Sequence, residues 1–438
     1  MTVSAPPPRD GADVGRLPEP AGTDLQAPRQ RIGSTTFRSL RYRNARLFFT
    51  GLLVSNVGTW MQLTVMSLLV YRLTGTSSAV GYTVACQFLP MLLLGAWAGA
   101  VADARDKRTM AIITQSLMAA QALTLGVLDL TGLINLPLVY VMSFVLGVAN
   151  AFDNPARRSL VTELVEPVEI TNATSLNTAV MTSSRIFGPA LGAVLVGAFG
   201  TGWCFLLNGV SFSAIIVSLL AIRPAEMYPM PPRPRGGQPV RDALRFVSGR
   251  RDMAVLFVSL VIVSTFAYNQ SVVFPELADK SWGGDDAFGY VLGVMSIGSL
   301  TGALLTARLR HVTFRWYVGN LVVLSVTGFG IAWSPNIWVA FLWAIPLGSG
   351  AAAFITSANA IAQQESPPDM RGRLMALQAV AFLGSTPIGG PITGLIADTI
   401  SPEWALGYGS IIALLCVGGI YVFWFAGGRR LVERPAGG

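Results

Sequence analysis

The sequence predicts an all-α membrane protein in which twelve transmembrane helices form two pseudo-symmetric six-helix bundles. Three observations support this prediction: the composition, the lengths of the uncharged segments, and a pair of repeated motifs. Only 12% of the 438 residues are charged, whereas 52% are hydrophobic and the mean hydropathy is +0.55. Soluble domains carry about 25% charged residues, so most of the surface of this chain is expected to contact lipid.

The uncharged segments between consecutive Lys, Arg, Asp or Glu residues supply the spans. A spanning helix needs about 20 apolar residues, and most of these segments hold one helix each. The segment 316–364 is divided in two at Ser334-Pro335-Asn336, and the segment 186–222 is divided near Gly200. The other segments are 47–71, 73–102, 109–128, 130–152, 253–275, 287–307, 374–397 and 404–428. Together they give twelve spans.

The spans separate into two bundles, at 37–222 and at 251–428. Residues 223–250 lie between them, are rich in Pro and Arg, and are expected to form a cytoplasmic linker. Residues 1–36 are rich in Pro, Gly and charged side chains and lack the apolar core of a signal peptide, which predicts a disordered cytoplasmic tail. Residues 429–438 are expected to form a second cytoplasmic tail.

The basic residues predict the orientation. Nearly all of the 31 Lys and Arg residues fall in the tails and in the turns after even-numbered spans, whereas the other turns hold only Arg72 and Lys280. Cytoplasmic loops carry an excess of Lys and Arg, so both termini are expected in the cytoplasm. The net charge of +8 then reflects topology, and no nucleic-acid partner is expected.

The sequence does not indicate an enzyme. Cys86, Cys204 and Cys416 lie in three separate apolar spans, and His311 is the only histidine. These residues do not form the closely spaced sets that disulfide frameworks, zinc sites or His-dependent catalysis require. We also find no phosphate-binding Walker loop. No catalytic residue, metal or cofactor is therefore expected, and an ATP-driven pump is not indicated.

Two pairs of similar motifs recur at nearly the same spacing. The segment GAVADARDKR at 99–108 resembles GALLTARLRH at 302–311, at an offset of 203 residues. The segment GPALG at 188–192 resembles GPITG at 390–394, at an offset of 202 residues. Both pairs occupy equivalent spans, which favours a duplicated six-helix unit of the kind found in parallel-repeat transporters. Chance similarity between Gly- and Ala-rich segments is the alternative.

The motif at 99–108 is similar to the signature loop of the major facilitator superfamily, Gly-x-x-x-Asp-Arg-x-Gly-Arg-Arg. Ala104 and Asp106 depart from that pattern and resemble the branch that contains enterobactin exporters and macrolide efflux proteins. The stretches SNVGTWMQ at 55–62, AFDNPARRSLVTELV at 151–165 and SRIFGPALGAVL at 184–195 are similar to the same branch.

The resemblance implies a monomeric exporter, surrounded by membrane lipids, that moves a drug-like or siderophore-like amphipathic small molecule across a bacterial inner membrane by alternating access. It also implies that antiport of protons drives the transport. Span one contains no acid, and the embedded acids Asp153, Glu276 and Asp398 all lie towards helix ends. The alternatives are an importer or lipid flippase on the same fold, or a membrane sensor or scaffold that does not transport.

The resemblance also assigns a gating role to the loop between spans two and three, formed by Gly99, Asp103, Arg105, Lys107 and Arg108. It implies that Asp103 is a latch that binds the other half at the N-terminus of span eleven, where free N–H groups favour an anion. The three basic residues are expected to pair with carboxylates at neighbouring helix ends, with Asp153 as the best candidate. Alternatively, these side chains are solvated anchors at the membrane surface. The second copy of the loop has Thr306 in place of the acid.

Spans five and eleven carry a motif of small residues next to a proline: Gly188, Pro189, Gly192, Gly390, Pro391 and Gly394. Small residues four apart allow helices to approach closely, and an internal proline kinks a helix. The resemblance implies that the motif in span five sets the conformation and seals the pathway. Simple helix packing is the alternative.

Arg185 lies inside span five, where an arginine costs about 2.5–3.5 kcal/mol on insertion scales. It is expected to attract an anionic substrate, to neutralise a carboxylate such as Asp153, or to snorkel towards the cytoplasm. The resemblance implies that spans one, four, seven and ten line the cavity. Their polar and aromatic candidates are Asn56, Trp60, Gln62, Asn150, Tyr268, Asn269, Gln270, Thr356 and Asn359. An aromatic residue near a span end is alternatively an interface anchor.

Overall fold

The computed structural model describes residues 37–228, 239–367 and 370–426. These residues are helical apart from short turns and contain no strand. Twelve segments of the described chain are long and apolar enough to cross a membrane. The predicted all-α fold with twelve spans is therefore confirmed. The predicted tails at 1–36 and 429–438 lie outside the described residues.

The first half contains six continuous helices, one for each span. A hydrogen bond from the backbone N–H of Thr109 to the Asp106 carboxylate caps the third helix, and Asn135 caps the fourth in the same way. Gly75 and Gly200 end the first and fifth helices with positive φ angles of 66° and 85°. The helices are α1 Arg43–Thr74, α2 Ser77–Ala104, α3 Lys107–Leu130, α4 Leu136–Glu163, α5 Ile170–Phe199 and α6 Thr201–Ala221.

The second half contains six spans, but two of them are broken near the middle. Span seven consists of α8 and α9, and span eleven consists of α13 and α14. An additional helix, α7, precedes span seven and lies in the linker. The helices are α7 Pro239–Gly249, α8 Arg251–Phe266, α9 Gln270–Lys280, α10 Asp285–Ala307, α11 Phe314–Ala332, α12 Ile337–Gln364, α13 Arg371–Leu383, α14 Thr386–Thr399 and α15 Pro402–Ala426.

The linker helix α7 packs against α8 and α13. Ala243 and Val247 on one face of α7 are buried, and Asp242 binds Arg373 of α13 at 3.0 Å. The composition of the linker indicated only a polar connection, so this helix is an addition to the sequence prediction. Residues 229–238 of the linker lie outside the described residues.

The two halves meet through spans one, two and five of the first half and spans seven, eight and eleven of the second. α2 packs against α14, α5 packs against α10, and α9 contacts both α1 and α2. These contacts lie at the end of the molecule where α2 begins and where α5 and α14 end. We call this the sealed end. The opposite end, which holds most of the basic turns, is called the basic end.

Candidate functional site

Arg185 lies between two aromatic rings that come from different halves of the molecule. Its guanidinium carbon is 4.6 Å from the centroid of the Trp60 ring in α1 and 5.3 Å from that of the Phe382 ring in α13. Both distances are within the range of a cation–π interaction. All three side chains are partly exposed. Arg185 is therefore an accessible cation at the boundary between the halves.

The breaks in spans seven and eleven lie beside this cluster. Tyr268 occupies the break between α8 and α9, and its ring packs edge-on against Phe382 at 5.1 Å. The hydroxyls of Ser264 and Ser385, next to the two breaks, are 2.8 Å apart. Irregular backbone at membrane depth occurs where it is buried in protein or lines a cavity. The two breaks therefore mark the second half's side of the same site.

A stripe of exposed hydroxyl side chains runs along α5 from the basic end to Arg185. Its members follow the i, i+3, i+4, i+7 and i+11 pattern of one helix face. Polar side chains inside a span usually face a water-filled cavity rather than lipid, so the stripe indicates an aqueous groove that is open at the basic end. The stripe consists of Thr171, Thr174, Ser175, Thr178 and Thr182. The helical spacing of these hydroxyl residues is visible in the sequence and was not among the predicted features.

The predicted pairing of Arg185 with Asp153 is wrong. Asp153 is fully buried and pairs with Arg157, one turn further along α4. The Asp153 carboxylate also accepts hydrogen bonds from Thr114 at 3.0 Å and from Gln115 at 2.9 Å. Arg157 therefore neutralises Asp153 within the first half. The four-residue spacing of Asp153 and Arg157 was the signal that the sequence analysis missed.

Gln62 and Asn269 do not lie in the cavity where the sequence analysis expected them. Gln62 donates to Gln121 at 3.0 Å and accepts from Asn208 at 2.6 Å, so it joins α1 to α3 and α6. Asn269 donates to the Thr265 carbonyl at 2.6 Å and to the Thr393 hydroxyl at 3.0 Å. Both amides are buried and serve to connect helices within one half.

The other predicted cavity residues occupy intermediate positions. Asn56 is nearly buried and donates to the Met181 sulfur at 3.4 Å. The Gln270 amide donates to a backbone carbonyl of its own span. Asn150, Thr356 and Asn359 are partly exposed on α4 and α12. Among the predicted set, Trp60 and Tyr268 are the residues that the structure brings into the Arg185 cluster.

Carboxylates of the second half bind the first half at the sealed end. Asp398 of α14 accepts hydrogen bonds from the backbone N–H groups of Ser77 at 2.8 Å and Ser78 at 3.0 Å. These are the first two residues of α2, where free N–H groups favour an anion. Glu276 of α9 accepts from the Ser77 hydroxyl at 2.5 Å and binds Lys280 at 2.6 Å.

A further bond across the sealed end joins the spans that flank these residues. The Tyr71 hydroxyl of α1 donates to Asp279 of α9 at 3.2 Å. Together with the Ser77 and Ser78 contacts, this bond connects the first two spans to spans seven and eleven. Each of these bonds must break if the halves separate at this end.

The small residues of span eleven also belong to the sealed end. A Cβ atom on Gly394 would lie 2.5 Å from the Ser77 carbonyl oxygen, and one on Gly81 would lie 2.4 Å from the Gly390 carbonyl oxygen. Real Cβ atoms are almost never found so close to backbone atoms. α2 and α14, with Pro391 inside the latter, therefore approach so closely that only glycine fits.

The matching motif in span five has a different partner. A Cβ atom on Gly188 would lie 2.5 Å from the Trp60 Cβ, and one on Gly192 would lie 3.2 Å from the Met61 Cγ. α1 belongs to the same half as α5, and Pro189 lies inside α5. The two motifs are similar in sequence, but one packs within a half and the other packs between the halves.

The loop between α2 and α3 lies at the basic end. Lys107 pairs with Glu163 at the end of α4, and Arg108 donates to the backbone carbonyls of Leu219 and Leu220. Arg105 is exposed. These contacts stay within the first half, so the expected pairing with Asp153 is wrong, although Lys107 does bind a carboxylate at a neighbouring helix end.

Gly99 and Asp103 lie in the last two turns of α2. A Cβ atom on Gly99 would meet no other atom within 4 Å, so this glycine makes no close helix contact here. The side chain of Asp103 lies outside the described residues, and its role as a latch stays a prediction. Asp106 caps α3, and hydrogen bonds from the side chain and backbone of Thr109 lower the pKa of its carboxyl group.

Comparison with known proteins gives a family match over nearly the whole described chain. A family model described as "Transmembrane secretion effector" matches residues 34–426. The chain is 22% identical over 367 residues to the staphyloferrin A transporter of Staphylococcus aureus, which covers 82% of this chain and 88% of that protein. It is 21% identical to macrolide efflux protein A of Streptococcus pyogenes, with 80% and 89% covered.

The fold is also found in solved transporter structures. The crystal structure of a D-xylose–proton symporter superposes with a TM-score of 0.70 at 13% identity, covering 87% of this chain and 97% of that one. At this identity the likeness concerns the fold alone. The resemblance predicted from the loop at 99–108 is confirmed by the family match.

Proposed function

Because the chain belongs to the transmembrane secretion effector family of the major facilitator superfamily, we propose that it is a secondary active exporter of an amphipathic small molecule. It moves this molecule out of the cytoplasm by alternating access. The homologous proteins are transporters, and we infer that this chain transports rather than catalyses a reaction.

The observation that carries the proposal is the unequal contact between the halves at the two ends. The hydrogen bonds that join the halves among the described residues lie at the sealed end. At the other end, the hydroxyl stripe of α5 is exposed as far as Arg185. If the basic end is cytoplasmic, as its Lys and Arg content favours, this is the inward-facing state that receives a substrate from the cytoplasm.

The direction of transport and the substrate class are supported by the relatives. One relative is a transporter of the siderophore staphyloferrin A, and another is a macrolide efflux protein. We infer from these names that the substrate is drug-like or siderophore-like. The competing functions are an importer or a lipid flippase on the same fold, and a sensor that does not transport.

We further propose that the protein works as a monomer in a bacterial inner membrane with both termini in the cytoplasm. The proton gradient is the proposed energy source, with no bound cofactor, metal or nucleic acid. This coupling is inferred from the family. In the proposed cycle, the proton and the substrate move in opposite directions.

The function is tested in everted vesicles of the inner membrane, which expose the cytoplasmic face to the medium. Vesicles carrying the full-length protein are energised with a proton gradient, and uptake of radiolabelled erythromycin, of ethidium and of the organic anion 1-pyrenebutyrate is measured. An exporter accumulates at least one of these probes inside the vesicles. A sensor gives no flux, and an importer moves the probe in the reverse direction, so either result contradicts the proposal.

The inward-facing assignment has a separate test. In a variant whose native cysteines are replaced by serine, Thr178→Cys is placed in the hydroxyl stripe and labelled with a membrane-impermeant maleimide. We expect rapid labelling in everted vesicles and slow labelling in intact cells. Thr124→Cys lies at an exposed position on α3 beside the exposed apolar side chains of Leu123 and Val127. It is the matched control and, because these apolar neighbours favour contact with lipid, it is expected to react in neither. Labelling of Thr178→Cys mainly from outside the cell would reverse the orientation.

A further inference from the structure

Arg185 has no carboxylate partner among the described residues. The embedded acids of the described spans are bound elsewhere. The buried Asp153 is bound by Arg157 and the buried Glu276 by Lys280, whereas the exposed Asp398 is bound by the N-terminus of α2. The positive charge of Arg185 is therefore left for a group that the described residues do not supply. A cation within a span normally faces a cavity or a partner, and here the groove along α5 leads to it.

The two aromatic contacts do not use the N–H donors of the guanidinium. Its carbon lies over the Trp60 and Phe382 rings, and its N–H donors form a planar fork. Arg185 is partly exposed, and no described residue accepts a hydrogen bond from these donors. A planar fork of N–H groups matches the two oxygens of a carboxylate.

We propose that Arg185 binds the carboxylate of an amphipathic organic anion whose apolar body lies against Trp60, Tyr268 and Phe382. The three rings form an apolar wall next to the charge, and a site of this kind suits a ligand that combines an anionic group with an apolar one. This inference rests on the proposed export function and specifies the class of its substrate.

The site is assembled from both halves of the molecule. Trp60 belongs to the first half, whereas Tyr268 and Phe382 belong to the second. Opening of the sealed end moves the halves relative to each other, so the spacing between Arg185 and the second-half rings must change. The anion therefore binds with different affinity in the two states, which is the condition for a ligand to shift a conformational equilibrium.

The test compares two fluorescent probes that differ in charge and share the same apolar body. Binding of 1-pyrenebutyrate and of its neutral amide, 1-pyrenebutyramide, to the purified full-length protein in neutral detergent is measured by fluorescence polarisation. We expect the wild type to bind the acid about tenfold more tightly than the amide, because a charge-assisted bidentate contact is lost with the amide. In Arg185→Gln, the preference should disappear while the affinity for the amide is unchanged.

Two further variants separate binding from a structural role. Arg185→Lys keeps the charge but loses the planar fork, so we expect a preference of about threefold. Arg308→Gln removes an exposed charge at the end of α10 and is the matched control, in which the tenfold preference should persist. A Lys variant that behaves as the wild type would favour snorkelling and contradict the proposed carboxylate contact.

The proposal is overturned if the wild type binds acid and amide equally, if it binds neither, or if Arg185→Gln keeps the preference. These results differ from a failure of the export function. A preference for the acid without flux in everted vesicles would leave the anion site in place and remove export. Flux of ethidium or erythromycin without a binding preference for the acid over the amide would support export and remove the anion site.

Discussion

The two ends of the molecule use their charged residues in different ways. At the sealed end, Glu276, Asp279 and Asp398 of the second half bind Tyr71, Ser77 and Ser78 of the first. At the basic end, the described ion pairs stay within one half, lie within the linker, or join the linker to a half. These pairs are Lys107–Glu163, Arg38–Glu169, Arg41–Glu169, Arg223–Glu226, Arg250–Glu365 and Arg373–Asp242.

This difference shows which contacts take part in a change of state. A bond that crosses between the halves exists in one conformation and must break in the other, whereas a bond within a half moves with that half. Mutations at the sealed end should therefore change the balance between conformations. Mutations at the basic pairs should change stability and leave that balance unaltered. Labelling of Thr178→Cys in everted vesicles reports this balance. We expect the effect on it to be large for Gly394→Ala, smaller for Asp398→Asn and absent for Lys107→Gln and Asp106→Asn, which change stability alone.

The largest effect is expected from Gly394→Ala. The new methyl group would lie 2.5 Å from the Ser77 carbonyl oxygen, so the sealed end should no longer close around it. Small-residue contacts of this kind set the helix spacing. Without this contact the inward-facing state, in which Thr178 is accessible, becomes less populated. We therefore expect export and Thr178→Cys labelling to fall about tenfold. The matched control is Gly197→Ala near the same end of α5, where a Cβ meets no atom within 4 Å. Equal behaviour of the two variants would show that this close approach is not needed.

A smaller effect is expected from Asp398→Asn. The amide keeps the shape of the side chain but removes the negative charge from the N-terminus of α2, an interaction of about 1 kcal/mol. We expect the sealed state to lose about fivefold in population relative to the opposite state. Thr178→Cys labelling should slow in proportion. Asp286→Asn, which changes an exposed acid at the same end, should not alter labelling, and an equal effect of both would assign the result to general surface charge.

Lys107→Gln should have no effect on the balance between conformations. It breaks the pair with Glu163 inside the first half, and both side chains are partly accessible to solvent, so the loss is about 1 kcal/mol of stability. The thermal unfolding midpoint in detergent should fall, whereas Thr178→Cys labelling should match the wild type. A changed labelling rate would indicate that the basic end also carries a contact between the halves.

The smallest effect on stability is expected from Asp106→Asn, because asparagine caps a helix as well as aspartate does. The stability of the wild type and that of the variant should differ in how they depend on pH. The folded state lowers the pKa of Asp106, so its stabilising contribution is present at neutral pH, above the unfolded pKa of about 3.9. This contribution is lost as the pH falls through the lower folded pKa. Wild type should therefore lose slightly more stability than the variant between neutral pH and about pH 3, as measured by the unfolding midpoint.

Part of the candidate site was accessible from the sequence. Arg185 was identified because a charged residue inside an apolar span is conspicuous, and Trp60 and Tyr268 were identified because they lie in spans that line the cavity in related proteins. Phe382 was missed because one phenylalanine among 22 carries no distinguishing signal. Asp398 was recognised as an embedded acid, but its partners are Ser77 and Ser78, more than 300 positions away.

The sequence by itself determined the number of spans, their approximate positions and the family, because these depend on local hydropathy and on motifs of adjacent residues. Only the tertiary structure decided which side chains meet. In the folded protein, Gln62 forms hydrogen bonds with Gln121 and Asn208, and Asp153 forms an ion pair with Arg157. Arg185 lies between two aromatic rings. The physical reason is that polar contacts within a membrane protein depend on how helices rotate and pack. Packing sets which polar groups come within reach of each other. The free-energy cost of burying an unpaired polar group then favours a bond between them.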